Sequence, residues 1–175
     1  NKGLKTTALP LEIRHTGYDE GEKLAAKVRR NLAAMEKLEA AGKASETVLF
    51  LLARTYSTQG KYEKAARIFH DLLGKQGVGD GQGDFALALH IYLGQALAFQ
   101  GQLEEAAAIF HAARQWSPRH PQLLFEAGKV EFLLGRQAAA ERCFRATLEL
   151  PVPVWTIPTD WESIRAGARE LLDRL

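Results

Sequence analysis

"LALHIYLGQALAFQGQLEEAAAIFHAARQWSP", residues 87–118, decides the fold, because its arrangement of small and aromatic residues returns on either side of it. Upstream stands "ETVLFLLARTYSTQGKYEKAARIFHDLL" from Glu46, and downstream "PQLLFEAGKVEFLLGRQAAAERCFRATLEL" from Pro121. In one shared register the eighth place is small (Ala53, Gly94, Gly128) and the fifteenth is glycine (Gly60, Gly101, Gly135). The twentieth is alanine (Ala65, Ala106, Ala140) and the twenty-fourth phenylalanine (Phe69, Phe110, Phe144). Such spacing predicts pairs of antiparallel helices. Small residues at places eight and twenty let two backbones approach, glycine takes the tight turn between them, and phenylalanine fills the space toward the next repeat.

The second and third repeats begin 34 residues apart. The first and second begin 41 apart, and the excess lies in "GKQGVGDGQGD", residues 74–84, whose five glycines predict a flexible inserted loop. Asp80, Gln82 and Asp84 have the spacing of calcium ligands, but Ile91 stands at the twelfth loop place where a glutamate is needed. The loop also lacks the Lys-Ser/Thr ending of a phosphate-binding P-loop, so a plain solvent loop is expected.

The pattern resembles the tetratricopeptide repeat, W-x2-L-G-x2-Y, then A-x3-F, then P. The first repeat carries Leu49, Leu52, Ala53, Tyr56, Ala65 and Phe69 at those places, and the second His90, Leu93, Gly94, Leu97, Ala106, Phe110 and Pro118. The third departs most, with Glu131 in place of the tyrosine, while Leu124, Gly128, Ala140 and Phe144 hold. The fold expected is all-α: a right-handed α-solenoid of three such helix pairs over residues 46–158, with an N-terminal helix and a C-terminal capping helix.

At the C-terminal end Pro151, Pro153 and Pro158 prevent helix, and Thr159 with Glu162 has the form of a capping box opening a last helix over 159–175. Trp161, Ile164, Ala168, Leu171 and Leu175 fall on one face of it, suited to closing the apolar end of a repeat stack. Before the repeats, residues 19–45 read as a helix and linker, with Asp19 as N-cap, Leu24, Val28, Leu32, Met35 and Leu38 as the buried stripe, and Gly42 as the stop. Lys23, Lys27 and Arg30 line the opposite, solvated face.

Residues 1–18 differ in kind. "LEIRHTGYDEGEKL", residues 11–24, opens as a strand and breaks at Gly17. Ile13, His15, Gly17 and Tyr18, followed by Lys27, Arg30, Asn31 and Leu32, resemble the joint of bacterial family 2 glycosyltransferases that carry C-terminal tetratricopeptide repeats. The resemblance implies that 1–18 are the strand-and-turn remnant of a catalytic domain, and that His15 is a metal ligand in a full-length enzyme only. It also implies that this chain is that enzyme's non-catalytic region. These 175 residues contain no D-x-D motif, and no nucleophile, base and stabiliser can be assembled from them, so no catalytic residue, metal or cofactor is assigned. The alternative is a free-standing scaffold or adaptor unrelated to sugar transfer.

Composition narrows the partners. With 46% apolar residues the chain can bury one ordinary core, and no apolar run is long enough to span a bilayer. Net charge of +2 gives no footprint for nucleic acid. A single cysteine, Cys143, fits a reducing cytoplasm, and residue 1 being Asn with Met35 as sole methionine suggests a piece of something longer or a processed product. His70 and His111 share one repeat place with Arg145, which repetition explains without a metal.

Function is therefore expected on the concave face, lined by the first helix of each repeat. Phe50, Arg54, Ile91, Gln95, Phe99, Phe125, Lys129 and Phe132 are the groove candidates, suited to a protein or peptide ligand, an acidic segment, or a second copy of the chain. The lysine and asparagine set that clamps a C-terminal carboxylate in some such repeats is missing: Phe50, Arg54, Tyr92, Gln122 and Glu126 occupy its places.

Overall fold

The structure, a computed structural model, describes residues 21–75, 83–154 and 157–175, with backbone alone for 21–24. The segment 1–18 with His15, the Asp19 cap, the Leu24 and Lys23 side chains, and Asp80 and Gln82 lie outside the described residues. Among those described there is no strand. The helices are α1 (Gly21–Ala40), α2 (Glu46–Thr58), α3 (Tyr62–Lys75), α4 (Asp84–Phe99), α5 (Leu103–Arg114), α6 (Pro121–Leu133), α7 (Gln137–Glu149) and α8 (Trp161–Leu172).

Three pairs follow the three repeats, and each turns the same way. Gly60, Gly101 and Gly135 have φ of 73°, 79° and 73°, left-handed values open to glycine at little cost. The next residue's N–H reaches back into the preceding helix each time: Lys61 to Tyr56 O at 2.9 Å, Gln102 to Leu97 O at 3.0 Å, Arg136 to Glu131 O at 2.9 Å. That bond satisfies a last-turn carbonyl that water would otherwise have to reach.

Within a pair, the place-eight residue faces the place-twenty-four ring of its own partner helix. A Cβ on Gly128 would stand 2.6 Å from Phe144 Cε1, so the absence of a side chain is what allows the ring its seat. The phenylalanines also look forward, as expected: Phe69 stacks on Tyr92 of the next pair at 5.9 Å between centroids. All three rings are fully buried, as are Ala65, Ala106 and Ala140.

The stack is a right-handed solenoid whose curvature follows from which helices touch. The first helices meet in order, α2 on α4, α4 on α6 and α6 on α8, whereas α3, α5 and α7 touch only first helices. A row in direct contact is the shorter one, so α2, α4 and α6 form the inner face. Helix α8 takes the place a fourth first helix would have, burying Ile164 and Ala168 against Phe125, Ala140 and Phe144, with Trp161, Leu171 and Leu175 half-buried around them.

Two local expectations are corrected. The cap of α8 is Asp160, whose Oδ1 accepts from Ser163 N–H at 3.0 Å and whose Oδ2 accepts from Ser163 Oγ at 2.7 Å. Those bonds hold the carboxyl below the usual carboxylate range. Thr159 instead donates to Ile157 O at 3.0 Å, one residue too early to cap. Among the described side chains of the expected α1 stripe, only Leu32 is buried and Met35 is half-buried; Val28 and Leu38 are 42% and 40% exposed. The reason is that α1 has α2 as its one helical neighbour among the described residues. Tyr56 fastens the contact by donating to Glu36 at 2.9 Å, and burial together with that carboxylate pushes its hydroxyl up to about 12.

Candidate binding groove

Position on the inner face decides which candidates are available. The fifth-place residues Phe50, Ile91 and Phe125 are 4%, 0% and 9% exposed, so they are core and not groove wall. Direct contact between successive first helices explains it. Phe50 is covered by Phe85 and Tyr92 of α4 at 5.3 and 5.5 Å, Ile91 lies in the cluster with Leu123 and Ala127 of α6, and Phe125 lies against Gly167 of α8.

The ninth-place row, Arg54, Gln95 and Lys129, is half-buried and divides in two. Arg54 and Gln95 line one depression of about 330 Å³ together with Phe99, Tyr62, Tyr92, Ser57 and Thr58. Lys129 is taken up internally. Its Nζ lies 2.6 Å from the buried Glu126 carboxylate and 5.0 Å from the Phe125 ring centroid. Phe132 is half-buried beneath Arg174, whose guanidinium is 5.6 Å from its ring. The structure thus gathers Arg54, Gln95 and Phe99 and leaves the α6 candidates apart from them.

The wall and the charge of this depression are well defined. Phe99 is 64% exposed and lies parallel to Tyr62, centroids 4.7 Å apart and planes 9° apart, a stacked apolar shelf at the rim. The Arg54 guanidinium rests 5.0 Å over Tyr92 and 5.9 Å from Phe50, and no carboxylate among the described residues lies within ion-pair distance of it. Thr55, Ser57 and Thr58 spend their hydroxyl protons on Leu51 O, Ala53 O and Thr55 O at 2.8, 3.1 and 2.8 Å. Arg54, the Gln95 amide and the Tyr62 and Tyr92 hydroxyls are therefore the lining groups left to donate to a ligand.

A second depression, about 680 Å³, adjoins the first between α1 and α2, lined by Val28, Asn31, Ala34, Met35, Val48, Leu51 and Thr55. Arg54 and Thr58 border both, so the two form a continuous groove with a cation at the junction. Sequence reasoning missed Tyr62 and the α1 side. Tyr62 opens the second helix of its pair, where groove residues were not sought, and the α1 wall exists because Val28 and Leu51 stay exposed.

Among the described residues no group of three His, Cys, Asp or Glu is placed to hold a metal. His70 is exposed beside Asp71, and His111 meets Gln115 at 3.0 Å. Cys143 is buried, which pushes its thiol up and keeps it protonated.

Residues 46–73 and 87–112 match family models of the tetratricopeptide repeat. No curated protein matches the chain. Solved structures of like fold include a MamA crystal structure, 14% identical over 93% of this chain and 94% of that one with a TM-score of 0.61. The type III secretion translocator chaperone SycD of Yersinia enterocolitica is 21% identical over 79% of this chain and 96% of its own, TM-score 0.60. MamA AMB-1 is 21% identical over 73% of this chain, TM-score 0.59, and 66% of its length is spanned. At these identities the likeness is one of fold.

Proposed function

We propose that the chain is a protein-interaction module that holds an extended segment of a partner across α1, α2 and α4. A partner carboxylate rests on Arg54 and apolar side chains lie against the Tyr62–Phe99 shelf and between Val28 and Leu51. The observation that carries this reading is Arg54 itself: a half-buried guanidinium at the junction of two depressions, stacked on aromatic rings, with no carboxylate among the described residues in ion-pair reach. A charge-assisted hydrogen bond there contributes about 1.5–3 kcal/mol, and each exposed ring covered adds apolar burial. Stacking on Tyr92 holds the planar donor ready, so little is lost in ordering it.

Fluorescence anisotropy with extended peptides of acidic, neutral and basic composition tests this. The acidic set is expected to bind best, to weaken with salt, and to be lost in Arg54→Glu and in Phe99→Ala. Lys129→Gln, by contrast, removes a cation already paired while keeping a donor for Glu126, and is expected to change capture little. Equal binding of acidic peptides by the native chain and Arg54→Glu would remove the groove from consideration.

Attachment of this module to a sugar-transferring enzyme is a narrower proposal, supported by the sequence of residues 13–32 alone. A free-standing scaffold or chaperone-like adaptor is the second reading, favoured by SycD, a translocator chaperone whose chain is spanned almost entirely by this one. The size of the native polypeptide separates them: an upstream domain bearing D-x-D supports the first, a start codon just before residue 1 the second. The lone buried Cys143 supports a reducing, cytoplasmic setting for either.

A further inference from the structure

The outer side of the solenoid holds a depression of about 560 Å³ between the end of α5, the α5–α6 turn and α7, remote from the groove. Arg114, Arg119 and Arg142 line it over a floor of Pro118, Leu124, Ala146 and Leu150, with Glu149 as the lining carboxylate, so two net positive charges remain. We propose that this depression binds a phosphomonoester, the dianion held by the three guanidiniums and the organic body on the apolar floor.

The convergence of three guanidiniums on one depression carries the argument, and three other cations show the paired alternative. Arg136 is bonded to both oxygens of Glu104 at 2.8 Å, Arg145 meets Glu141 at 2.7 Å, and Lys129 meets Glu126. Arg114, Arg119 and Arg142 form no ion pair among the described residues, Glu149 included. Arg114 is half-buried, and its one side-chain bond, Nη1 to Cys143 Sγ at 3.8 Å, goes to a weak acceptor. Its place in the last turn of α5 suits the helix dipole, but that cannot account for Arg142, which stands in the middle of α7. Arg114 and Arg142 do pull the Cys143 thiol down, but burial outweighs them and the net shift is upward, so an internal thiolate does not account for the cluster. A fourth guanidinium, on Arg165, donates to Leu150 O at 2.9 Å at the edge of the same depression. Two or more forked donors suit the three oxygens of a phosphoryl group better than the two of a carboxylate.

The test is a titration of the intact chain with phosphoserine, followed by two-dimensional NMR of the arginine Nε–Hε groups and the backbone amides. Inorganic phosphate, acetate and sodium chloride at matched ionic strength are the comparison probes. Saturable shifts confined to Arg114, Arg119, Arg142 and the Cys143 amide are expected, with phosphoserine tighter than acetate by about tenfold or more. Arg142→Gln, an exposed change, is expected to weaken binding by about tenfold while Arg30→Gln on α1 leaves it unchanged. A phosphoserine peptide that binds no worse than the free amino acid assigns a phosphorylated protein as the source; one that is excluded assigns a free metabolite. Non-saturating shifts equal to those of chloride, equal loss in both variants, or binding only to vesicles of anionic lipid would overturn the proposal.

Discussion

Gly94→Ala isolates the physical rule on which the stack rests. An alanine Cβ there would stand 2.5 Å from Phe110 Cζ and closer still to Cε1, where ordinary van der Waals contact begins near 3.4 Å. The ring is 1% exposed and cannot swing into water, so ring or helix must shift by about 1 Å at an overpacking cost of about 2–3 kcal/mol. Against this, alanine gains about 1 kcal/mol over glycine inside a helix. The net expectation is a loss of about 1–2 kcal/mol. Phe110→Leu removes the two closest atoms, Cε1 and Cζ, so in that background Gly94→Ala is expected to stabilise by up to about 1 kcal/mol. Urea denaturation followed by helical circular dichroism, run as a double-mutant cycle, reads the coupling directly. Ala53, at the same place of the first repeat, is the control: Ala53→Gly should lose about 1 kcal/mol through propensity and lost packing. Equal midpoint changes for Gly94→Ala in both backgrounds would refute the claim that glycine is there for the ring.

Gly101→Ala meets no neighbouring atom within 4 Å, so its expected cost of about 1 kcal/mol is purely that of a left-handed backbone, measurable by the same denaturation. Ala106→Leu, at a fully buried place, is expected to cost about 1–3 kcal/mol by overpacking. His120 caps α6 by accepting from Leu123 N–H at 3.4 Å, and burial lowers its imidazole to about 4 from 6.5. Because the unfolded chain takes the proton first, stability is fully present above about pH 6.5 and falls toward pH 4, by about 1–2 kcal/mol after allowance for solvent reach. His120→Asn keeps a cap without that titration and should flatten this part of the pH profile; an unchanged slope would assign the loss elsewhere. Removing residues 159–175 uncovers Phe125 and Phe144, and a drop in thermal midpoint with dye binding to the exposed apolar end is the expected result.

The repeat register was legible because it is written in steric necessity. Places eight, fifteen, twenty and twenty-four are fixed by backbone approach, positive φ and ring seating, and each recurs at the spacing that one helical hairpin imposes. The groove was legible only in part. Helical phase placed the fifth and ninth residues on the same inward side, but phase says nothing of how near the next first helix comes. That distance buried Phe50, Ile91 and Phe125 and left Arg54, Gln95 and Phe99 at the surface. Lys129 failed as a groove cation for a different reason. Glu126 one turn earlier neutralises it, a pairing visible in the sequence at i, i+3 once α6 is known to be helical. Thr159 misled because a capping box and an Asp cap one residue later fit the same string, and only the backbone path chooses between them.

The two ends of the solenoid are built unequally, and this favours the N-terminal end for the proposed groove. At the C-terminal end α8 fills the seat of a further first helix, drawing Phe125 and Phe132 into a cluster and leaving the inner face there occupied. At the N-terminal end α1 touches α2 alone among the described residues and buries little beyond Leu32, so Val28 and Leu51 remain at the surface. Apolar area left uncovered beside an unneutralised cation lowers the free energy of any segment that can bring both a carboxylate and an apolar side chain. The α6 region offers neither, since its cation is paired and its ring covered. If the proposed groove holds a partner, its binding energy is expected to concentrate toward α1, α2 and α4, and a substitution there should affect capture far more than one at the same repeat place on α6.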